Sequence, residues 1–121
     1  MQAALSGAKQ AGGLTVGVLP GDTATDAAGA ADIRIVTGMR EARNVVNVLS
    51  SQVVFVCGMS AGTASEVALA LKTQKPVVLV DSEPEVLRFW ASIGKHLVHA
   101  TSTVEEAIDV ARRLLAAAPD A

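Results

Sequence analysis

Short β-branched runs alternate along the chain with longer, alanine-rich amphipathic stretches, the pattern of βαβ units. The apolar spacing predicts a helix over residues 2–11, ended by Gly12-Gly13, where glycine supplies a left-handed cap. A first strand is expected at 15–19, stopped by Pro20-Gly21, and a short second strand at 33–36. Residues 40–50 read as a helix with Ala42, Val45, Val46 and Leu49 on one stripe. The run 53–57 is the most continuously apolar and predicts a central strand, because buried parallel strands lose polar alternation. Residues 63–73 follow as a helix that buries Ala64, Val67, Ala68 and Leu71 at spacings i, i+3, i+4 and i+7. Pro76 opens a strand at 77–80, residues 83–93 are helical, and a short strand falls at 97–99. An amphipathic helix over Val104–Ala117 leads to Pro119. With no internal repeat and no linker, the expectation is one α/β domain over 1–121. Its form would be an open, mostly parallel sheet with helices on both faces, Rossmann-like.

Composition narrows the function classes. Half of the 121 residues are apolar but only 2% are aromatic, so alanine, valine and leucine carry the packing. The formal net charge is −2 with no run of lysines or arginines, which argues against a nucleic acid partner. The single Cys57 excludes an internal disulfide and makes no zinc site alone, so a reducing, cytoplasmic setting is expected. No apolar run reaches the length of a membrane span, and residue 1 is not followed by a basic then apolar leader; neither membrane nor signal peptide is expected.

The chemistry concentrates in two places. After the 53–57 strand comes Gly58-Met59-Ser60-Ala61-Gly62-Thr63. Glycines let a backbone approach a ligand closely, and the first N–H groups of the following helix lack intrahelical partners. With the helix dipole and the hydroxyls of Ser60 and Thr63, that turn reads as a phosphate cradle. Thr63-Ala64-Ser65-Glu66 is equally a capping box, a pattern repeated at Ser82-Glu83-Pro84-Glu85 and Thr103-Val104-Glu105-Glu106, so ligand site and plain helix start both stand. The second place is Met39-Arg40-Glu41-Ala42-Arg43-Asn44, which sets arginine in a first turn that favours acids. Arg40, Arg43, Asn44 and Asn47 share a stripe, and arginine forks suit phosphate oxygens; the competing reading is a solvated face paired with Glu41 and Asp32.

Other positions carry weaker signals. The stretch 20–32 has few structural cues, and loops of that length in small domains are often functional. Asp81 follows a strand and faces the same sheet edge as the glycine turn. His96 and His99 lack companions at metal spacing, so no metal is expected. Cys57 reads as a small core residue rather than a nucleophile, and Phe89 and Trp90 as packing on the sheet or a subunit interface.

Three motifs in order carry a family resemblance: Gly13-Leu14-Thr15-Val16-Gly17-Val18-Leu19-Pro20-Gly21, then Thr37-Gly38-Met39-Arg40-Glu41-Ala42-Arg43-Asn44, then 58–66 with Ala68-Leu69-Ala70-Leu71. They resemble the Lonely-Guy-like (LOG/SLOG) Rossmann family, within it the molybdenum cofactor carrier branch, also described as "possible lysine decarboxylase" nucleotide-binding proteins. The resemblance implies binding of a nucleotide or another phosphate-bearing cofactor such as molybdopterin, through Gly58, Ser60, Gly62, Thr63, Arg40, Arg43 and Asn44. Phosphoribohydrolase members use a PGGxGTxxE motif and an MHxRK-type helix. By that likeness Gly62, Thr63 and Glu66 match GTxxE and Arg43 matches the arginine. The alternative function is then cleavage of a nucleoside 5′-monophosphate at its N-glycosidic bond, with Glu66 beside an oxocarbenium-like centre and Arg43 completing the site. Met59 and Ser60 stand where those enzymes have glycines, Met39 precedes Arg43 by four residues rather than three, and the histidine is absent. These departures fit the carrier branch, where binding without turnover is implied. Family members begin with two strands and a glycine-rich segment whose final methionine Met1 matches, so the fold is expected to be N-terminally shortened. Such a sheet would expose an apolar edge, and a homo-oligomer is expected.

Overall fold

The structure is a computed structural model and describes residues 2–26 and 29–117. Among the described residues five α-helices and five strands follow one another in the expected order, and every strand pairing is parallel. The strands fall in two sheets rather than one, a pair and a triplet. The chain divides correspondingly into two compact units, Met1–Asn47 and Val48–Ala121.

The first unit begins with helix α1 (Gln2–Gln10). It ends as its glycines predict: Gly12, at φ +79°, donates its N–H to the Lys9 carbonyl and Gly13 donates to that of Ala8. Strand β1 (Val16–Leu19) pairs with β2 (Ile33–Val36) in register from Val16↔Ile33 to Leu19↔Val36. The stretch between them is folded back by a 3₁₀ turn at Ala24–Asp26; Ala27 and Ala28 lie outside the described residues. At the strands' amino ends, Asp32 Oδ2 accepts from the N–H and hydroxyl of Thr15 (3.1 and 2.8 Å), while Oδ1 takes Lys9 Nζ at 2.6 Å. Those donors hold the Asp32 carboxyl down at about 2 and tie α1 to the strand pair.

The helix expected at 40–50 is two pieces, a 3₁₀ turn at Arg40–Ala42 and α2 (Arg43–Ser50). The late start of α2 changes which side is buried. Asn44 and Val48 are buried, whereas Val45 and Leu49 of the expected apolar stripe are exposed.

The second unit is a three-stranded sheet in the order β3-β4-β5, made of β3 (Val54–Cys57), β4 (Val77–Val80) and β5 (Val98–Thr101). The connecting helices are α3 (Ala61–Lys72) and α4 (Pro84–Gly94), with α5 (Val104–Ala117) last. The centre belongs to β4, not to β3 as the apolar run predicted. All four β4 residues are buried, while Phe55 is 47% exposed and Cys57 lies at the surface rather than in the core. Alternation along β4 divides the packing between two faces. Val77 and Leu79 join Val56, Val67, Leu71 and Trp90, and Val78 and Val80 join Ala107. Each fully buried aliphatic side chain there contributes roughly 1.5–3 kcal/mol. On α3 the buried set is Val67, Ala70 and Leu71, so Ala70 takes the place expected for Ala68, which is exposed.

Candidate functional site

Within the second unit the register aligns Cys57 with Val80 and Val80 with Thr101. The 58–63 segment, Asp81 and Ser102 therefore share the carboxyl edge of the sheet, where ligands of open parallel sheets gather. Gly58 leaves β3 at φ +85°, a conformation costly for any residue with a Cβ. Ser60 then turns extended (φ −133°, ψ 171°) and its Oγ accepts from the Thr63 N–H at 3.2 Å. Ser60 is thus the N-cap of α3. The expected capping box from Thr63 to Glu66 does not form, because Thr63 sits inside the first turn with its N–H already bound. Thr63 instead places its hydroxyl 3.0 Å from Ser60 Oγ. Helix geometry leaves the N–H groups of Ala61 and Gly62 without intrahelical acceptors. Glu66, one turn along the same helix, is half-buried and makes an interaction of its own.

The other two expected boxes differ as well. Glu83 caps α4 with no side-chain bond and Pro84 fills the first position, whereas Thr103 does cap Glu106 N–H at 3.2 Å and Glu106 reaches back to Ser102 N–H at 2.8 Å.

Gly62 is the informative glycine. Its φ lies outside the left-handed region, and a Cβ built on it would meet only Ser60 Oγ, at 3.9 Å. Neither conformation nor packing within the described residues calls for glycine there, although glycine weakens a helix by roughly 0.5–1 kcal/mol relative to alanine. Gly62 lies in the first turn of α3, at the positive end of its dipole, where the N–H groups lack intrahelical acceptors.

In the first unit, Leu19↔Val36 pairing brings 20–22 and 37–41 to one edge. Gly38 N–H donates to Gly21 O (2.8 Å) and Arg40 N–H to Pro20 O (2.9 Å), and Thr37 Oγ1 donates to Leu19 O (2.6 Å). A cavity of about 360 Å³ opens there, lined by Pro20, Gly21, Asp22, Gly38, Arg40 and Glu41. Arg40 is held at φ +51°, a strained conformation for a long side chain of the kind found at functional positions. Being in the left-handed region ahead of α2, Arg40 does not share a helical stripe with Arg43, Asn44 and Asn47. Asn44 is buried and Arg43 half-buried, and all three make interactions. Pro20 and Gly21 end the first motif and read in the sequence only as a strand stop; Asp22 carries no signal beyond the cue-poor stretch it belongs to.

The remaining candidates separate. Asp81 stands at φ +47° with its N–H on Thr101 O at 2.9 Å. His99 has its pKa lowered by burial, then by Arg113 and His96, so it resists charging. Among the described residues no three His, Cys, Asp or Glu side chains converge as metal ligands, and no helix is long and apolar enough to cross a membrane.

A family model, the SLOG cluster4 family, matches residues 1–110. The chain belongs to the SLOG cluster4 family. Solved structures similar to this SLOG cluster4 chain include the molybdenum cofactor binding protein of the phototrophic bacterium Rippkaea orientalis, at 44% identity and TM-score 0.91, covering 95% of this chain and 71% of that one. The Moco carrier protein of Chlamydomonas reinhardtii is 51% identical with TM-score 0.88, covering 96% and 70%. An uncharacterized protein of Archaeoglobus fulgidus is 48% identical over 79 residues, 64% of this chain and 50% of its own length. The chain therefore spans about half the length of the curated relative it matches and about 70% of the two solved structures.

Proposed function

We propose that this protein binds a phosphate-bearing cofactor, the molybdenum cofactor above all, and carries it without turnover. The observation that supports this most is Gly62, a glycine that nothing among the described residues requires. It sits in the first turn of a twelve-residue helix, where N–H groups lack intrahelical acceptors. A terminal phosphate would accept from the Ala61 and Gly62 N–H groups and from the Ser60 and Thr63 hydroxyls, with the α3 dipole adding its field. Gly58 supplies the turn that delivers Ser60. Likeness to a molybdenum cofactor binding protein and a Moco carrier protein at 44% and 51% identity supports the choice of cofactor. In the first unit, Arg40 offers a guanidinium to an anion at its own cavity, with Arg43 and Asn44 following on α2. The exposed apolar residues Ile33, Ile35 and Val36 on β2 support a homo-oligomer.

The experiment is calorimetric titration with inorganic pyrophosphate and nucleoside monophosphates as probes, on the natural protein and on Gly62→Val. Binding lost in a variant with an unchanged circular dichroism spectrum is expected. Undiminished affinity in Gly62→Val overturns the site. The same nucleotides incubated with the protein should release no free base, and Glu66→Gln should change nothing in that assay. Base release abolished by Glu66→Gln would establish a phosphoribohydrolase instead.

A further inference from the structure

Beside the 58–63 turn, wholly within the second unit, lies a cavity of about 320 Å³ lined by Met59, Ala64, Val86, Phe89 and Trp90, with Glu85 at its rim. Its volume is at the lower end of small-molecule sites, enough for a fused bicyclic ring and too small for a docked helix. Met59 belongs both to the turn and to this wall, and Ala64 stands on α3 one residue past the capped Thr63, so the cavity continues from the proposed phosphate position. Phe89 is 56% exposed, yet its ring is fixed edge-on against buried Trp90, with centroids 4.9 Å apart and planes at 73°. A large exposed aromatic ring braced in this way presents a rigid flat surface at little entropic cost. Glu85 is the acidic group on the lining; its exposed carboxylate pairs with Arg88 Nη2 at 2.8 Å, one turn along α4.

Resting on the binding function above, we propose that this wall receives the planar heteroaromatic part of the same ligand. Glu85 then selects rings with a 2-aminopyrimidinone edge, such as pterins and guanine. That edge presents an N–H and an amino group side by side, and one carboxylate accepts both. Adenine offers no such pair. The Glu85 side chain is 75% exposed, so the preference comes from the paired hydrogen bonds to one carboxylate rather than from burial of an acceptor.

The test uses three probes of one phosphate chemistry: GMP, AMP and ribose 5-phosphate. Trp90 is the chain's one tryptophan, so its fluorescence reports ring docking directly, with calorimetry alongside. GMP should bind tighter than AMP and quench Trp90, and ribose 5-phosphate should bind weakest without quenching. Phe89→Ala should weaken GMP and AMP roughly tenfold, as loss of a stacked base does, and leave ribose 5-phosphate unchanged. Glu85→Gln should remove the preference for GMP over AMP while AMP affinity stays as it was. If ribose 5-phosphate binds through Gly62 but Phe89→Ala alters no affinity, the ring-binding wall is refuted and the phosphate site stands. If none of the three binds the natural protein, both fall. A change of oligomeric state in Phe89→Ala, with GMP affinity unaltered, would make the wall a contact between copies of this chain.

Discussion

Replacing Gly62 by alanine separates what the fold needs from what a ligand needs. The new methyl group would meet only Ser60 Oγ, at an ordinary van der Waals distance of 3.9 Å, and the backbone there is already in a region open to alanine. Alanine restricts the unfolded chain and favours the helical conformation, so the unliganded protein should gain about 0.5–1 kcal/mol. For a chain of this size that corresponds to roughly 2–5 °C in midpoint temperature. Urea denaturation without ligand is the assay, and a higher midpoint at constant slope is the signature of stability rather than of altered compactness. The same methyl is added in the first turn of α3, where the proposed phosphate meets the Ala61 and Gly62 N–H groups, so affinity for pyrophosphate should fall at least severalfold. Stability and binding should therefore move in opposite directions, the trade expected where a residue is kept for function. A Gly62→Ala protein that is less stable than the natural one would show that the fold demands glycine. The inference of a ligand approaching that face would then be refuted.

Other expected outcomes rest on separate features. Gly94→Ala should destabilise by roughly 1–3 kcal/mol in the same urea assay, since its Cβ would lie 2.7 Å from Leu71 Cδ2 and nearer still to Val98 Cγ2. Asp32 has a folded pKa of about 2 against 3.8, so its contribution is complete above pH 3.8 and fades as pH falls toward 2. Lys9→Met should raise that pKa toward 3.8, read by NMR titration of the Asp32 carboxyl; an unmoved pKa would refute the role assigned to Lys9. His99 is depressed from 6.5, so stability should decline as pH drops through 6.5 and level off below the folded value. Arg113→Gln should bring the His99 pKa part-way back, checked by its ring proton shifts, with the larger burial effect remaining.

Much of this was legible in the sequence, because local signals and tertiary packing agree there. β2, β4 and α5 fall on the expected residues, since proline, capping threonine and β-branched runs mark their ends unambiguously. The errors share one physical cause: a local pattern does not know its neighbours. Residues 53–57 and 77–80 are both short apolar runs, and only the pairing order makes β4 the centre and leaves Cys57 at the surface. Ser60 and Thr63 are both competent caps; Ser60 prevails in the structure because the helix starts at Ala61 and takes Gly62 into its first turn. Arg40 could not be separated from α2 by spacing, since its left-handed backbone is held by a bond to Pro20 twenty positions earlier in the chain. The aromatic wall escaped for the same reason: Met59 and Phe89 belong to different elements, and nothing in their spacing says that they line one cavity.

The central claim, carriage of a phosphate-bearing molybdenum cofactor at the 58–63 turn, is tested most directly by what the protein holds when isolated. The protein and its Gly62→Val variant would be purified anaerobically from cells making the cofactor, and molybdenum, pterin and phosphate measured per chain. The account predicts near-stoichiometric molybdenum with matching pterin in the natural protein and a loss of both in the folded variant. Equal loading of the two proteins, or a natural protein that carries neither under those conditions, would contradict it.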